Sequence, residues 1–200
     1  MKRVFDAIIS SLGLLLLGPV FLIVALMIKL DSRGPVFFKQ ARIGREFRSF
    51  FIYKFRTMIA DAASRGGTLT VGSDPRITRV GAVLRTTKID EIPQLINIFK
   101  GDMSFVGPRP EVLEFVELFR SDYEEILRVR PGLTDLASLK YRNEAMTLAQ
   151  AEDPHEDYLK RVLPDKIRLA KEYIRRSSFL FDLGLIIKTL VRLFECRLTQ

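Results

Sequence analysis

The sequence predicts a mostly helical α+β fold with a broken apolar helix at its N-terminus, a small β element, and amphipathic helices at a membrane interface. The stretch from Ala7 to Ile28 contains no charged residue, and about 20 apolar residues can cross a bilayer. Aromatic residues cluster at positions 50–56, which is typical of a strand. The C-terminal part carries apolar residues at helical spacing. We therefore expect a membrane helix over residues 1–30 and a cytoplasmic domain over residues 31–200.

The apolar stretch is interrupted near its middle by Gly18-Pro19, where proline should kink or break a helix. Basic residues flank the stretch on both sides, and they prefer the cytoplasmic side of a membrane. A re-entrant helix broken at Gly18-Pro19 keeps both flanks on that side, whereas a straight span, the alternative, places one flank outside. We expect Ser10 or Ser11 to bond the carbonyl groups freed at the break. The flanking residues are Lys2 and Arg3 before the stretch and Lys29, Arg33, Lys39, Arg42 and Arg45 after it.

The composition narrows the class of partner. The chain has 200 residues, 48% of them hydrophobic, and a formal net charge of +8. This balance favours an anionic partner: nucleic acid, phospholipid headgroups or a phosphorylated substrate. The single cysteine, Cys196, excludes an internal disulfide and a cysteine zinc cluster. Gly66-Gly67 matches neither a P-loop nor a dinucleotide-binding pattern, so ATP chemistry and Rossmann-type redox chemistry lose support.

Two strands are predicted between Asp31 and Met58. The first follows a Gly34-Pro35 turn, and the second covers the aromatic run at 50–56. Side chains alternate along a strand, so Lys54 and Arg56 should share one face. These two cations either point at a phosphate group or form the solvent face of the strand.

The most informative stretch begins at Arg85 and contains two adjacent carboxylates, Asp90 and Glu91, just before Pro93. Proline suits the first turn of a helix, and we expect that helix to run to about Lys100 with Gly101 as its stop. An aspartate with a low pKa can act as a nucleophile toward phosphorus. Two carboxylates can also hold Mg²⁺. The alternative is an ordinary capping pair beside a surface arginine.

The loop that follows this helix fixes one guanidinium between two prolines, in Gly107-Pro108-Arg109-Pro110. Arginine presents a planar fork of donors that matches phosphate oxygens. We therefore select Arg109 and the adjoining Pro110 as candidates for contact with a phosphorylated ligand.

The second half of the chain is predicted to be helical. One helix follows Pro110 and begins with Glu111, and another begins at Pro164. Between them lies a basic and aromatic cluster, Lys140 to Arg142, which either contacts a nucleotide or forms a surface loop. Ser177 or Ser178 should cap the last helix, which either lies in a membrane interface or packs on the core. Its apolar stripe comprises Leu180, Leu183, Ile187, Leu190, Val191 and Phe194.

Several of these segments, taken in order, resemble the bacterial sugar transferases of the monotopic phosphoglycosyl transferase family. The resemblance covers nearly the whole chain. It rests on Lys-Arg-Val-Phe-Asp before the apolar stretch and on the motifs Gln40–Gly44, Tyr53–Met58, Asp90–Leu95, Gly101–Pro110 and Arg130–Thr134.

The resemblance implies transfer of a sugar phosphate from a UDP-sugar to undecaprenyl phosphate, with Mg²⁺ and release of UMP. It implies that Asp90 is a nucleophile that forms a covalent phosphosugar intermediate, and that Glu91 binds Mg²⁺, alone or with Asp90, or assists deprotonation. Lys54 and Arg109 match residues of the family's active site. We include five further candidates for substrate binding near the motifs or in the basic cluster. They are Arg56, Arg85, Pro110, Lys140 and Arg142.

The chain departs from the family pattern at two places. Many relatives have Ser-Pro where this chain has Gly18-Pro19, and the segment Asp135–Asn143 replaces a different run after Thr134. We therefore transfer no sugar identity. We expect a location at the cytoplasmic face of a bacterial inner membrane, contact with membrane lipids and no nucleic-acid partner; homo-oligomerisation is left open. The rival interpretations are a basic membrane-anchored scaffold without catalysis, and a nucleic-acid binder.

Overall fold

The computed structural model describes residues 2–65, 71–72 and 74–198, with the side chains of residue 63 and of residues 193–198 excepted. The Gly66-Gly67 pair and the side chain of Cys196 therefore lie outside the described part. The fold is the predicted mostly helical α+β arrangement. Its helices are α1 (Lys2–Leu16), α2 (Gly18–Asp31), α3 (Arg79–Thr87), α4 (Gln94–Lys100), α5 (Leu113–Leu118), α6 (Arg120–Ile126), α7 (Leu136–Lys140), α8 (Glu144–Leu148), α9 (Pro154–Asp157), α10 (Leu163–Arg176) and α11 (Phe179–Leu198), and its strands are β1 (Phe37–Ile43), β2 (Ser49–Phe55), β3 (Ser104–Val106) and β4 (Gly132–Thr134).

The N-terminal helix is broken where the sequence predicts. Helices α1 and α2 meet at an angle of 58°, with Gly18 and Pro19 opening α2. Among the described residues, no one helix combines the length and apolarity needed to cross a bilayer, although the bent pair does so when taken together. The expected role of Ser10 and Ser11 is wrong. Both hydroxyls donate to the carbonyl of Ala7, because a helical serine reaches back toward the preceding turn and away from the break.

Both N-terminal helices also pack against the rest of the chain. Asp6 is buried, and its Oδ1 accepts the N–H of Phe105 at 3.2 Å. Val24 and Ile28 of α2 are buried in one apolar cluster with Phe55 and Leu84. One side of each helix is thus part of the core. The other side is apolar and exposed, at Leu12, Leu15, Leu16, Leu22, Ile23, Leu26 and Leu30.

The two predicted strands, β1 and β2, pair as an antiparallel hairpin, in register from Phe37 opposite Phe55 to Ile43 opposite Ser49. A second sheet is absent from the sequence prediction: β3 and β4 pair in parallel. Each has three residues, too few for an alternating pattern. The backbones continue to touch beyond the strands, where a Cβ built on Gly107 would lie 2.4 Å from the carbonyl oxygen of Arg130. Glycine is therefore required at this crossing.

The main core lies between the helices of the second half. Buried residues of α5, α6, α10 and the π-helical turn Tyr158–Val162 before α10 pack together there. They include Phe115, Val116, Ile126, Val162, Leu163 and Ile167. The single helix expected after Pro110 is instead two helices separated at Phe119, where the backbone leaves the helical region (φ −120°, ψ 37°). Glu111 does not begin that helix. It is buried beside Arg42 and Tyr158.

The last two helices begin as predicted. Pro164 lies in the first turn of α10, and the Ser178 hydroxyl accepts the N–H of Phe181 at the start of α11. The described part of the apolar stripe on α11 faces outward rather than into the core, with Leu180 78% exposed and Ile187 53% exposed. Asp182 and Leu185 form the buried side of this helix instead. The side chain of Phe194 lies outside the described part.

Candidate active site

Three separate segments bring charged side chains to one place. Strand β2 supplies Lys54 near its end. A short 3-10 turn, Ile89–Glu91, supplies Asp90 and Glu91 between α3 and α4. The loop after β3 supplies Arg109. The turn forms here because Lys88 adopts a left-handed backbone conformation (φ 59°) that ends α3 and redirects the chain.

Glu91 lies between two cations. Its Oε1 accepts from Lys54 Nζ at 2.7 Å and from Arg109 Nη2 at 2.6 Å. Burial opposes ionisation of Glu91, but the charges of Arg109 and Lys54 more than offset it and hold the pKa of Glu91 well below its usual range. The charge of Glu91 in turn raises the pKa of Arg109. Glu91 is therefore an ionised carboxylate that holds both cations.

Asp90 differs from its neighbour. The residue is 7% exposed, and its Oδ1 is buried without a hydrogen-bond partner among the described residues. Burial raises the pKa of Asp90, Lys54 partly opposes that effect, and the adjacent charge of Glu91 adds to it. The positive charges of Lys88 and Arg85 also act on this carboxylate. A carboxylate oxygen is thus left free beside an ion-paired cluster.

Comparisons with known proteins identify the family. A model of the bacterial sugar transferases matches residues 1–196. The chain belongs to the bacterial sugar transferase family. It is 46% identical over 147 residues to the exopolysaccharide production protein PSS of Rhizobium leguminosarum bv. phaseoli, covering 70% of this chain and 74% of that protein.

Two longer relatives carry names that state a reaction. The undecaprenyl-phosphate glucose phosphotransferase of Komagataeibacter xylinus is 41% identical across 96% of this chain, which spans 35% of that protein. The UDP-N-acetylgalactosamine-undecaprenyl-phosphate N-acetylgalactosaminephosphotransferase of Aeromonas hydrophila is 37% identical across 94% of the chain, which spans 42% of that protein. This chain therefore corresponds to less than half the length of each of these two relatives.

Helix α4, which follows the Asp90-Glu91 turn, is held in place by residues that were not among the sequence-predicted candidates. Asn97, fully buried on α4, accepts the N–H of Tyr53 at 3.0 Å and donates to the carbonyl of Phe51 at 2.7 Å, which ties α4 to β2. Arg3 donates to the carbonyls of Ile98 and Phe99 at the end of α4. The available signal for Asn97 was a polar residue within the apolar run Leu-Ile-Asn-Ile-Phe.

Two of the remaining candidates adjoin the cluster. Arg85 lies within electrostatic reach of Asp90, and its Nε donates to the Thr57 hydroxyl at 2.8 Å. Pro110 follows Arg109 directly, and its carbonyl accepts from Arg42 at 3.2 Å.

Three candidates lie elsewhere. Arg56 follows the end of β2 and donates to the carbonyls of Ser32 and Arg33, so it does not extend the face that Lys54 presents. Lys140 pairs with Asp165 at 2.7 Å. Arg142 donates to a backbone carbonyl of α11. The structure does not bring these three to the cluster, and their contacts with substrate stay predictions.

Proposed function

We propose that this chain transfers a sugar 1-phosphate from a UDP-sugar to undecaprenyl phosphate and releases UMP, as a first membrane step of polysaccharide or glycoconjugate synthesis. Membership of the sugar transferase family and the substrates in the relatives' names support this reaction. One relative is named for glucose and another for N-acetylgalactosamine, so we propose no single donor sugar.

The observation that carries the mechanism is the free oxygen of Asp90. It is buried and unpartnered among the described residues, whereas the neighbouring carboxylate of Glu91 is held by two cations. A carboxylate can attack phosphorus and form an acyl phosphate, which divides one difficult transfer into two easier steps. Asp90 is the carboxylate that is available to do so.

In the first step, an oxygen of Asp90 attacks the phosphorus that bears the sugar. The bond from this phosphorus to the bridging oxygen breaks, and UMP leaves with the bonding electrons. In the second step, a phosphate oxygen of undecaprenyl phosphate attacks the same phosphorus, and Asp90 departs as a carboxylate. The covalent intermediate lets a soluble and a lipid substrate use one site in turn.

Lys54 and Arg109 bind the phosphates in this scheme. Their side chains are 22% and 32% exposed, so each can contact a ligand while Glu91 fixes its position. The arginine fork matches two phosphate oxygens, and the lysine adds a compact charge. Both cations stabilise the negative charge that builds up on the departing UMP.

The family implies Mg²⁺, and the residues present fit it in a limited way. No group of three metal-binding side chains occurs in the part of the chain that the structure describes. Mg²⁺, however, is commonly held by one or two carboxylates together with substrate phosphates. Asp90, with its unpartnered oxygen, and Glu91 would hold it. The ion would supply further neutralisation of the diphosphate.

We also propose that the chain works at the cytoplasmic face of a bacterial inner membrane. The apolar outer sides of α1 and α2 and the outward stripe of α11 are exposed, which suits contact with lipid. The bend of 58° after Leu16 and the basic residues on both flanks favour a re-entrant path. The lipid acceptor would then reach the carboxylates at the level of the headgroups.

The proposal is tested by measuring UMP release from lipid-solubilised protein with Mg²⁺, undecaprenyl phosphate and a panel of UDP-sugars. Asp157→Asn serves as a control, because Asp157 is a carboxylate paired with Arg161 on the surface of α9. We expect release with at least one donor, its loss in Asp90→Asn and its retention in the control. Silence with folded protein and an adequate panel would instead favour the scaffold interpretation.

A further inference from the structure

Asp135 is a buried carboxylate that the mechanism above does not use. It is 2% exposed and directly follows β4. Its Oδ1 accepts the N–H of Ser138 at 2.6 Å, as expected of a residue that caps the N-terminus of α7. Its Oδ2 accepts the N–H of Arg109 at 3.1 Å, from a loop 26 residues earlier in the chain. The second bond goes beyond an ordinary cap.

The hydrogen bond from the Arg109 N–H to Asp135 is the only one that the backbone of the segment Pro108–Pro110 can donate. Pro108 and Pro110 have no N–H, so Arg109 carries the only backbone donor of the Pro-Arg-Pro segment. The carbonyl groups of the two flanking prolines each accept a hydrogen bond. The Pro108 carbonyl accepts from Gly132 at 3.0 Å, and the Pro110 carbonyl accepts from Arg42 at 3.2 Å. Asp135 thus supplies the contact that fixes the central residue itself.

The side chain that leaves this peptide is the one that contacts Glu91 at 2.6 Å. A small rotation of the peptide would displace the guanidinium by an ångström or more at the end of its long side chain. Misplacement on that scale can cost about a hundredfold in rate. We propose that Asp135 is a positioning residue, which directs the Arg109 guanidinium toward the phosphates of the donor by fixing its backbone. This inference rests on the proposed function.

The test compares two aspartates that each cap the N-terminus of a helix. Asp153 caps α9 by accepting the N–H groups of His155 and Glu156 at 2.9 and 3.0 Å, and it is exposed. Asparagine has one acceptor oxygen where aspartate has two. Asp135→Asn therefore leaves one of the two N–H groups without its acceptor, because they bond to different oxygens. Asp153→Asn can keep both bonds, because a single oxygen, Oδ1, accepts both.

Hydrogen exchange measures the structural half of the proposal without any substrate. A peptide covering residues 107–111 contains a single amide hydrogen between its two prolines, that of Arg109. We expect this amide to exchange at least tenfold faster in Asp135→Asn than in the wild type, and at the wild-type rate in Asp153→Asn. Unchanged protection in Asp135→Asn would overturn the proposal whether or not the chain proves to be a transferase.

Kinetics of UMP release measure the functional half. We expect Asp135→Asn to lower kcat/KM for the UDP-sugar at least tenfold, and Asp153→Asn to change it less than twofold. In the background Arg109→Lys, Asp135→Asn should cost little more, because its effect passes through the residue already altered. Full additivity of the two losses would contradict a positioning role. Wild-type protein that releases no UMP would refute the proposed function, whereas active wild type with unaffected Asp135→Asn would refute this inference alone.

Discussion

Two clusters of this molecule have the same composition but different surroundings. In each, a mostly buried glutamate lies between an arginine and a lysine. Glu91 contacts Lys54 and Arg109 at 2.7 and 2.6 Å. Glu111 contacts Arg42 and Lys166 at 3.3 and 3.8 Å, and it also accepts from the Tyr158 hydroxyl at 3.2 Å.

The clusters differ in which buried polar atom lacks a hydrogen-bond partner. Lys166 is 10% exposed and has a second carboxylate partner, Glu144, at 2.5 Å. Among the described residues, the atom of the Glu111 cluster left without a partner is the buried Nε of Arg42, which is a donor and not a carboxylate oxygen. The Glu91 cluster lies beside Asp90, whose free oxygen is buried, and its two cations remain partly exposed. Buried ion pairs are weak evidence for function by themselves. The unpartnered carboxylate oxygen distinguishes the Glu91 cluster, since Arg42 of the Glu111 cluster is about as exposed as Lys54.

Replacement of the proposed nucleophile should have the largest effect. Asp90→Asn keeps the size of the side chain and removes the charged oxygen, so we expect UMP release to fall by more than about a thousandfold, as for other covalent catalysts that lose their nucleophile. The circular dichroism spectrum and membrane association should be unchanged. Turnover within tenfold of the wild type would exclude Asp90 as the nucleophile.

The same substitution in the two lysines should separate the clusters. Lys54→Met removes a phosphate ligand, and we expect kcat/KM for the donor to fall about a hundredfold. Lys166→Met leaves Glu111 and Glu144 without their shared cation in the core, which should lower the free energy of unfolding by about 3 kcal/mol. The folded fraction of Lys166→Met should retain wild-type kinetics. Denaturant unfolding and UMP release are measured on both variants. A loss of stability alone in Lys54→Met, or a loss of activity alone in Lys166→Met, would contradict the prediction.

Arg109→Lys should have a smaller effect on catalysis. Lysine keeps the charge but loses the fork that contacts two oxygens, so we expect KM for the UDP-sugar to rise about tenfold with a smaller change in kcat. Initial rates over a range of donor concentrations measure the two constants separately. An equal KM in both proteins would show that Arg109 does not bind the donor.

The smallest effect concerns stability and pH. Burial raises the pKa of Asp90, so the folded chain holds a proton that the unfolded chain releases. Stability therefore falls as the pH rises from the ordinary aspartate value through the raised value. Asp90→Asn lacks this loss, so its Tm should exceed that of the wild type at pH 8. The two proteins should converge near pH 4, and a gap that widens on acidification would reverse the sign of the argument.

The sequence predicted the features that depend on local chemistry. Gly18-Pro19 breaks the N-terminal helix, and the aromatic run forms β2. Gly101 ends α4 in a left-handed conformation (φ 91°). The proximity of Lys54, Glu91 and Arg109 followed from the family resemblance, since no local pattern relates three segments so far apart in the chain.

The features that the sequence did not predict depend on tertiary contacts. Strands β3 and β4 are too short to show a pattern, and they pair because Gly107 and Gly132 allow close approach. Glu111 appeared to be a helix-start acid, but Arg42, Tyr158 and Lys166 surround it in the folded chain. Arg56 appeared to continue the face of Lys54, yet the strand ends one residue before it. Backbone carbonyls capture its guanidinium instead.

The central claim is that the free oxygen of Asp90 takes up the sugar phosphate. The most direct measurement is mass spectrometry of the protein after incubation with Mg²⁺ and an active UDP-sugar, in the absence of undecaprenyl phosphate. We expect release of one UMP per active molecule and a sugar phosphate on the peptide that contains Asp90, which undecaprenyl phosphate then removes. Two results would contradict this mechanism. One is normal turnover with both substrates in which rapidly quenched protein carries no sugar phosphate, and the other is a sugar phosphate label that persists in Asp90→Asn.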